Sequence, residues 1–229
     1  MTSRRPITGQ TPGFFVSFEG TEGSGKSTQL KLLVERLRHD GYSVTENQEP
    51  GSTSIGKQIR RVLLDPANAE MASMTELLLM FASRAQAAAE ILRPAIARGD
   101  IVVSDRFTDS TLAYQGGARG LGFDLVGRAH QLALGDLKPD LTICVVVDVE
   151  DGLRRARHRN SREPSGGGED RIDEQGIEFH SRVLEAYRRI AQLEPRRFHI
   201  VDGSGTRQTV AERIWTTVAP LLPRRVVTQ

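Results

Sequence analysis

Phe14-Phe15-Val16-Ser17-Phe18-Glu19 is followed directly by Gly20-Thr21-Glu22-Gly23-Ser24-Gly25-Lys26-Ser27, and this stretch decides the fold of the chain. The first part is an apolar, aromatic run that is typical of a buried β-strand. Residues 28–39 come next, with Leu30, Leu33, Val34 and Leu37 at helical spacing. The order of these patterns predicts a strand, a glycine-rich loop and a helix.

The loop from Gly20 to Ser27 fits the pattern G-x-x-x-x-G-K-[ST], which binds phosphate groups in P-loop proteins. Glycines let the backbone turn several N–H groups towards one anion, and the helix N-terminus adds a favourable dipole. In such a loop Lys26 reaches the β- and γ-phosphates, and the hydroxyl of Ser27 binds Mg²⁺. A chance match occurs in roughly one chain of this length in a hundred, and the flanking strand and helix argue further against chance. We therefore expect residues 20–27 to bind the phosphates of a nucleotide.

Length and composition indicate a single domain and give no sign of a secreted, membrane-spanning or nucleic-acid-binding protein. The chain has 229 residues, 38% of them hydrophobic, which suffices for one core, and its net charge is only +2. This charge gives no reason to expect a nucleic-acid or membrane partner, and Cys144 lies in an apolar run as a core residue. Residues 1–13 lack the apolar region of a signal peptide, and no run approaches the ~18 residues of a membrane span. We expect a cytoplasmic protein.

The rest of the chain alternates between strand and helix patterns. Short strands are predicted at 42–45, 101–104, 141–147 and 198–201, and helices at 54–64, 75–98, 124–134, 177–193 and 209–222. Pro94 is an objection to an unbroken helix over 75–98. Continuously apolar strands predict an α/β fold with a parallel sheet of about five strands, covered by helices on both faces. We expect one domain over 14–222, with flexible tails at 1–13 and 223–229.

Residues 154–171 break this pattern and are rich in arginine. They contain Arg154, Arg155, Arg157, Arg159, Arg162 and Arg171, together with Pro164 and three glycines at 166–168. Taken alone, the segment could be a solvated helix end followed by a surface loop. Beside a phosphate site it predicts a mobile, cationic flap that neutralises charge and excludes water once the substrates are bound.

Further motifs distinguish among P-loop proteins. The chain contains no Asn-Lys-x-Asp, the tetrapeptide with which GTPases read guanine. It does contain Glu49-Pro50-Gly51, Leu77-Leu78-Leu79-Met80-Phe81-Ala82-Ser83-Arg84, Asp105-Arg106-Phe107, Ser110-Thr111-Leu112-Ala113-Tyr114-Gln115-Gly116 and Pro139-Asp140-Leu141. In this order and spacing the set resembles the thymidylate kinase family, from about Phe14 to Leu222. Each motif alone would be weak, whereas the combination is specific.

The resemblance implies a nucleoside-monophosphate kinase of the P-loop kinase fold. Such an enzyme transfers the γ-phosphoryl group of ATP to the 5′-phosphate of dTMP, with Mg²⁺, giving dTDP and ADP for dTTP synthesis. By resemblance Lys26, Asp105 and Arg106 are catalytic, and Ser27 with Asp105 holds the metal ion. The family also suggests a homodimer.

The resemblance assigns the acceptor site to a second set of residues. The residues predicted to bind dTMP are Glu22, Pro50, Phe81, Arg84, Arg106, Thr111, Tyr114 and Gln115. Glu22 matches the carboxylate that binds the deoxyribose 3′-hydroxyl, and Thr111 and Tyr114 match positions near the base and sugar. Arg84 and Arg106 match the positions that grip the acceptor phosphate, for which guanidinium groups are suited. The alternatives are surface salt bridges for the arginines and a helix N-cap for Asp105.

The chain departs from the family pattern at three places. Met80 stands where an aromatic residue is expected, four positions before Arg84. Phe81, on the same helix face, is the candidate for stacking on thymine. The alternatives are that Met80 meets the base or that Phe81 lies in the core. Gln48 stands where an arginine commonly precedes Glu-Pro-Gly. The loop positions 21–24 contain no arginine, and this resembles the subgroup whose catalytic charge comes from the flap. We therefore expect Arg157, Arg159 and Arg162 to supply it.

Two other functions remain open at this point. The chain could be a kinase of the same fold that acts on a different nucleoside monophosphate. It could also be a regulatory module that binds a nucleotide without turnover, although the joint presence of Arg84, Asp105, Arg106 and the flap speaks against that.

Overall fold

The computed structural model describes residues 13–162 and 175–223, and a five-stranded parallel sheet forms their centre. The strands are β1 (Phe14–Gly20), β2 (Val44–Gln48), β3 (Ile101–Asp105), β4 (Leu141–Val146) and β5 (Phe198–Asp202). Their order in the sheet is β2-β3-β1-β4-β5, and all neighbours are parallel. This confirms the predicted α/β class, with β1 in the middle of the sheet.

Helices connect the strands. They are α1 (Lys26–His39), α2 (Ser54–Leu64), α3 (Ser73–Ala87), α4 (Arg93–Arg98), α5 (Thr108–Thr111), α6 (Phe123–Leu134), α7 (Val149–Arg162), α8 (Ile177–Leu193) and α9 (Arg207–Val218). Two π-helical segments, Ala88–Leu92 and Leu112–Ala118, continue from α3 and α5. Within the described ranges, no helix is long and apolar enough to cross a membrane.

Both faces of the sheet are buried, because successive side chains of each strand point to opposite faces. On one face, alternate residues such as Val16 and Phe18 of β1 pack against α1 and α9. On the other face, Phe15 packs against α3, α4 and α6, and Cys144 packs against α8. The continuous apolar runs of the strands follow from this double burial.

The helical region before β3 is longer than an ordinary helix, as the sequence predicts. α3 passes through the π-helical segment 88–92 into α4, and Pro94 lies in the first turn of α4. Proline has no N–H to donate and obstructs the carbonyl of the preceding turn. The wider π turn accommodates this defect, so the chain continues across Pro94 as three joined helical segments.

The structure changes the expectation for the flap. α7 extends to Arg162, so the first part of the predicted flap, residues 154–162, has a helical backbone. Arg159 and Arg162 belong to α7 by backbone, but their side chains lie outside the described residues. The predicted flap residues 163–171 and the predicted tails, except Gly13 and Pro223, also lie outside them. The boundaries of the domain and the flap therefore stay predictions.

Candidate active site

The glycine-rich loop lies at the carboxyl end of the central strand, between β4 and α7. The N–H of Thr21 donates to the carbonyl of Val145 at 3.3 Å, and the N–H of Val147 donates to Thr21 Oγ1 at 3.4 Å. Gly23 has a φ of 66°, and a Cβ there would collide with the carbonyl of Gly152 in α7. Glycine is therefore required at this position by both backbone conformation and space.

Lys26 and Ser27 begin helix α1 directly after the loop, and both face the end of β3. Lys26 Nζ forms an ion pair with Asp105 Oδ1, and Ser27 Oγ lies 3.5 Å from Asp105 Oδ2. The contact arises because β1 and β3 are neighbours, with Phe18 paired to Asp105. The structure thus brings together the predicted phosphate lysine and both predicted metal ligands.

A cleft opens beside this cluster, at the same edge of the sheet. Its empty volume, which includes open solvent, is about 500 Å³. Its walls include six predicted dTMP-binding residues: Pro50, Arg84, Arg106, Thr111, Tyr114 and Gln115. Parallel strands place the residues that follow β1, β2 and β3 at one edge, where such folds bind their ligands.

Sequence reasoning missed several residues of the cleft. Arg60 and Leu64 also line it, as do Glu49 and Ser110, which belong to the quoted motifs but were not predicted to bind dTMP, and Met80, the alternative to Phe81. Arg60, from α2, donates to the carbonyl of Pro50 at 2.9 Å and adds a cation to this wall. A signal for Arg60 was present, because α2 follows the Glu-Pro-Gly turn and must present one face to the same edge.

Arg106 connects the cleft with the phosphate-binding loop. It follows Asp105 directly, and its φ of 69° places it in the left-handed region, which costs an L-residue about 1–3 kcal/mol. Its Nη1 donates to Ser110 Oγ at 3.0 Å, and its guanidinium carbon lies 5.0 Å above the ring of Tyr114. The side chain is partly exposed on the cleft wall. This guanidinium can bind an anion in the cleft.

Arg84 also lines the cleft, but its guanidinium is only 2% exposed and is bound by the protein itself. Its Nε is paired with Glu49, its Nη1 donates to Thr111 Oγ1 at 2.9 Å, and its Nη2 donates to the carbonyl of Phe107 at 3.1 Å. Burial raises the pKa of the Glu49 carboxyl, and the charge of Arg84 opposes this shift. Arg84 therefore stiffens the wall of the cleft as well as facing it.

The structure corrects the prediction for Phe81. Phe81 is buried in the core between α3 and α6, with its ring edge-on to His130 at a centroid distance of 6.4 Å. The preceding residue, Met80, lines the cleft in its place. A helix turns by about 100° per residue, and the packing of α3 against α6 directs Phe81 inwards.

The other predicted acceptor residues are buried and bound within the protein. Gln115 Nε2 donates to Glu76 Oε1 at 2.8 Å, and Thr111 is held by Arg84. Glu22 lies in the loop and is largely buried, but it is not part of the cleft wall. The structure therefore brings Thr111 and Gln115 to the predicted acceptor site, while Glu22 stays with the phosphate-binding loop.

Glu19, at the end of β1, is a buried acid that sequence reasoning passed over. It accepts hydrogen bonds from the N–H of Phe107 at 2.8 Å, from Ser17 Oγ at 2.6 Å and from Ser110 Oγ. Burial raises the pKa of Glu19 to about 7, and the charge of Asp109 acts in the same direction. The only signal in the sequence was an acid inside an apolar strand pattern.

Comparisons with known proteins agree with this geometry. The sequence model of the family described as thymidylate kinase matches residues 18–214. A thymidylate kinase of Pelobacter propionicus is 48% identical over 214 residues, covering 93% of this chain and 96% of that protein. A thymidylate kinase of Geobacter sulfurreducens is 44% identical over 214 residues, covering 93% of this chain and 100% of that protein.

A solved structure supports the same assignment. The crystal structure of a thymidylate kinase from Ehrlichia chaffeensis superposes with a TM-score of 0.73 and 28% identity, covering 91% of this chain and 99% of that one. The P-loop, the Asp105-Arg106 pair and the cleft thus lie in a chain that resembles these enzymes over nearly its whole length. The chain belongs to the thymidylate kinase family.

Proposed function

We propose that this protein transfers the γ-phosphoryl group of ATP to the 5′-phosphate of dTMP, giving dTDP and ADP. One observation carries the proposal. Lys26 of the phosphate-binding loop is paired with Asp105, and Arg106, the residue after Asp105, lines the cleft that holds most of the predicted dTMP-binding residues. Adjacent residues cannot be far apart, so a donor phosphate and an acceptor phosphate bound here would meet at the end of β3.

The residues of the site divide the chemistry between them. The backbone N–H groups of residues 20–27 and the N-terminus of α1 bind the donor phosphates, and Lys26 neutralises charge on the transferring group. Arg106 and Arg60 hold the acceptor phosphate in line, since both guanidinium groups lie on the cleft wall. Phosphoryl transfer depends mainly on such positioning and charge stabilisation.

Mg²⁺ fits the oxygen donors that the structure presents. The Ser27 hydroxyl and the Asp105 carboxylate lie at hydrogen-bonding range, and a magnesium ion is usually held by one or two protein oxygens together with substrate phosphates. No cluster of three or more metal-binding side chains occurs among the described residues, as this kind of site requires none. When bound, the ion would neutralise phosphate charge.

The wall of the cleft suits a pyrimidine base. Arg84 and Glu49 present a buried, fixed pair of polar groups, while Met80 and Leu64 offer apolar contact. A thioether makes favourable contacts with aromatic rings worth about 0.3–1.5 kcal/mol. Met80 therefore replaces Phe81 in the proposal as the residue that contacts thymine, and Thr111, Tyr114 and Glu22 remain predicted contacts of the nucleotide.

The source of the catalytic arginine stays a proposal. Arg157 is exposed on α7, whose start lies against the phosphate-binding loop through the contact of Gly152 with Glu22. Arg154, by contrast, is paired with Asp151 at 2.6 Å. We retain Arg157, Arg159 and Arg162 as the candidates. The cytoplasmic location and the absence of a nucleic-acid partner are retained as predictions from composition.

A homodimer is the proposed assembly. Large apolar side chains are exposed on the neighbouring helices α2, α3 and α6: Ile55, Val62, Met74, Leu78 and Leu132. Exposed apolar side chains on neighbouring helices support an interface at this surface.

A panel of nucleoside monophosphates tests the proposed function. Purified protein with MgATP should phosphorylate dTMP with the highest kcat/KM among dTMP, dUMP, dCMP, UMP, AMP and GMP. Preference for another monophosphate would indicate a different kinase of the same fold. No transfer to any of them, in a single-turnover assay with labelled ATP, would indicate a binding module.

A further inference from the structure

We propose that Glu19 is a positioning residue for acceptor binding: its buried carboxyl group holds Arg106 in the conformation that faces the cleft. It acts on the backbone through Phe107 and on the guanidinium through Ser110. The inference rests on the proposed function, because it concerns how Arg106 is presented to the phosphate of dTMP.

The backbone of Arg106 needs external support. Arg106 is the one non-glycine residue with a positive φ within residues 13–162 and 175–223. Hydrogen bonds hold this unfavourable turn on three sides. The N–H of Arg106 donates to the carbonyl of Phe18 at 2.9 Å, Ser104 Oγ donates to the carbonyl of Arg106 at 2.7 Å, and the N–H of Phe107 donates to Glu19 Oε1 at 2.8 Å. Strained backbone of this kind persists where its surroundings over-determine it.

The guanidinium of Arg106 is linked to the same carboxyl group by a second route. Arg106 Nη1 donates to Ser110 Oγ at 3.0 Å, and Ser110 Oγ donates in turn to Glu19 Oε2. The hydroxyl of Tyr187 lies 3.1 Å from Ser110 Oγ and 3.5 Å from Glu19 Oε2. The two oxygens of Glu19 therefore support two parts of Arg106. Oε1 supports its backbone through the N–H of Phe107, and Oε2 supports its guanidinium through Ser110.

Packing alone does not account for an acid at this position. Glu19 is 0% exposed in the central strand, where its partner in β4 is Cys144. An apolar side chain would fill this space without the cost of taking a carboxyl group out of water. From this place in β1 the carboxyl group reaches both the N–H of Phe107 and the hydroxyl of Ser110.

The chain offers a matched control for the test. Ser17 Oγ also donates to Glu19 Oε1, at 2.6 Å, but it is not part of the chain of hydrogen bonds that runs from Glu19 Oε2 through Ser110 to the guanidinium of Arg106. The comparison therefore uses Glu19→Gln, Ser110→Ala and Ser17→Ala, each of which removes or weakens one hydrogen bond of the carboxyl group. For each variant the Kd for dTMP and for ATP is measured by calorimetry, with KM and kcat from steady-state kinetics and Tm from thermal unfolding.

Glu19→Gln and Ser110→Ala should each raise the Kd and KM for dTMP about tenfold, the effect of one hydrogen bond to a charged group. The Kd for ATP should stay within twofold, and Ser17→Ala should stay within twofold for both nucleotides. In an Arg106→Ala background, Glu19→Gln should have no further effect on dTMP, because the group that it positions is gone.

Three results would overturn the inference: equal losses for dTMP and ATP, additive effects in the double variant, or an unchanged Kd for dTMP in both Glu19→Gln and Ser110→Ala. If Glu19→Gln does not fold, Ser110→Ala and its combination with Arg106→Ala decide the question. Failure of the proposed function is separate, since it appears as a parent protein that prefers another monophosphate. The same comparison of single and double variants is then made with that monophosphate, because Arg106 is proposed to bind the phosphate and not the base.

Discussion

Two arginines that line the same cleft differ in what holds them. Arg106 is partly exposed, and its turn is supported by hydrogen bonds from strand β1, whereas Arg84 is buried and paired with Glu49. At the level of the sequence both read as phosphate-binding cations. The structure separates them, because one guanidinium faces the cleft and the other is largely engaged by the protein.

This difference predicts different costs of substitution. Arg84→Ala leaves the carboxylate of Glu49 buried without its partner and should lower the free energy of unfolding by about 3–5 kcal/mol. Adding Glu49→Gln should restore part of that loss, because the uncompensated charge is removed. Arg106→Ala should lose much less stability and should mainly weaken dTMP binding. Urea unfolding of the four proteins measures this, and equal stability losses for the two arginine variants would contradict it.

Lys26 belongs to the transfer step more than to folding. Its amino group contacts Asp105 at the partly open mouth of the loop, where it can move to a bound phosphate. Lys26→Ala should lower kcat about 10²–10³-fold, the scale of losing one charge-stabilising group in the transition state. Lys31→Ala, on an exposed face of the same helix, is the control and should leave kcat unchanged. A folded Lys26→Ala protein with parental kcat would refute the assignment.

The pKa of Glu19 predicts how stability depends on pH. Burial and Asp109 raise it from 4.5 to about 7, while Ser110, Ser17 and Arg106 oppose the shift. Between these values the folded protein keeps a proton that the unfolded chain has released, so its stability falls as the pH rises. The Glu19→Gln protein lacks this group. Between pH 5 and pH 8 the unfolding free energy of the parent should fall by about 2–3 kcal/mol relative to that of the Glu19→Gln protein. A difference in unfolding free energy that is constant with pH would contradict the prediction.

At the scale of elements, the loop and helix α7 approach each other through two glycines. Gly23 and Gly152 face one another, and a side chain on either would meet backbone of the other segment. This close contact places the start of α7, the helix whose backbone includes the candidate catalytic arginines, against the phosphate-binding loop. The loop and α7 can approach this closely because neither Gly23 nor Gly152 has a side chain.

Gly152→Ala should push the loop away from α7, because the new Cβ would collide with the carbonyl of Glu22. We expect a loss of about 1–3 kcal/mol in unfolding free energy and weaker ATP binding by calorimetry. Gly127→Ala is a matched control in α6, where a Cβ meets nothing within 4 Å. That change should be neutral or stabilise by up to about 1 kcal/mol. Equal effects of Gly152→Ala and Gly127→Ala on stability and ATP binding would show that the close contact between the loop and α7 is not required for either.

At the scale of the whole molecule, the three adjacent helices α2, α3 and α6 present apolar side chains to solvent. Leu132 is 91% exposed and Leu78 is 58% exposed. If this surface forms the proposed homodimer, Leu132→Glu and Leu78→Glu should shift the protein to a monomer, because each would bury a charge in the interface. Sedimentation velocity measures the change. Leu193→Glu, at the 64%-exposed end of α8, is the control, and a parent that is monomeric at all concentrations would refute the dimer.

Local patterns were enough to predict much of the fold. Helices α2 and α8 begin and end at the predicted residues, 54–64 and 177–193, and strands β1, β3, β4 and β5 lie within one residue of their predicted bounds. Strand β2 is the exception, because it runs from Val44 to Gln48 and not over the predicted residues 42–45. Apolar runs, helical spacing and glycine turns are properties of neighbouring residues, so they can be read without knowing the rest of the chain.

The contacts of the site depended on the tertiary structure. The sequence by itself determined the class of fold, the phosphate-binding loop and the family resemblance. It did not determine that Met80 faces the cleft and Phe81 the core, that Glu49 binds Arg84, or that Glu19 supports Arg106 through Ser110. Glu49 and Arg84 are 35 positions apart and Glu19 and Ser110 are 91 positions apart, and they meet only because the parallel strands bring their carboxyl ends to one edge of the sheet. The choice between Met80 and Phe81 depends on how one helix is rotated against its neighbours.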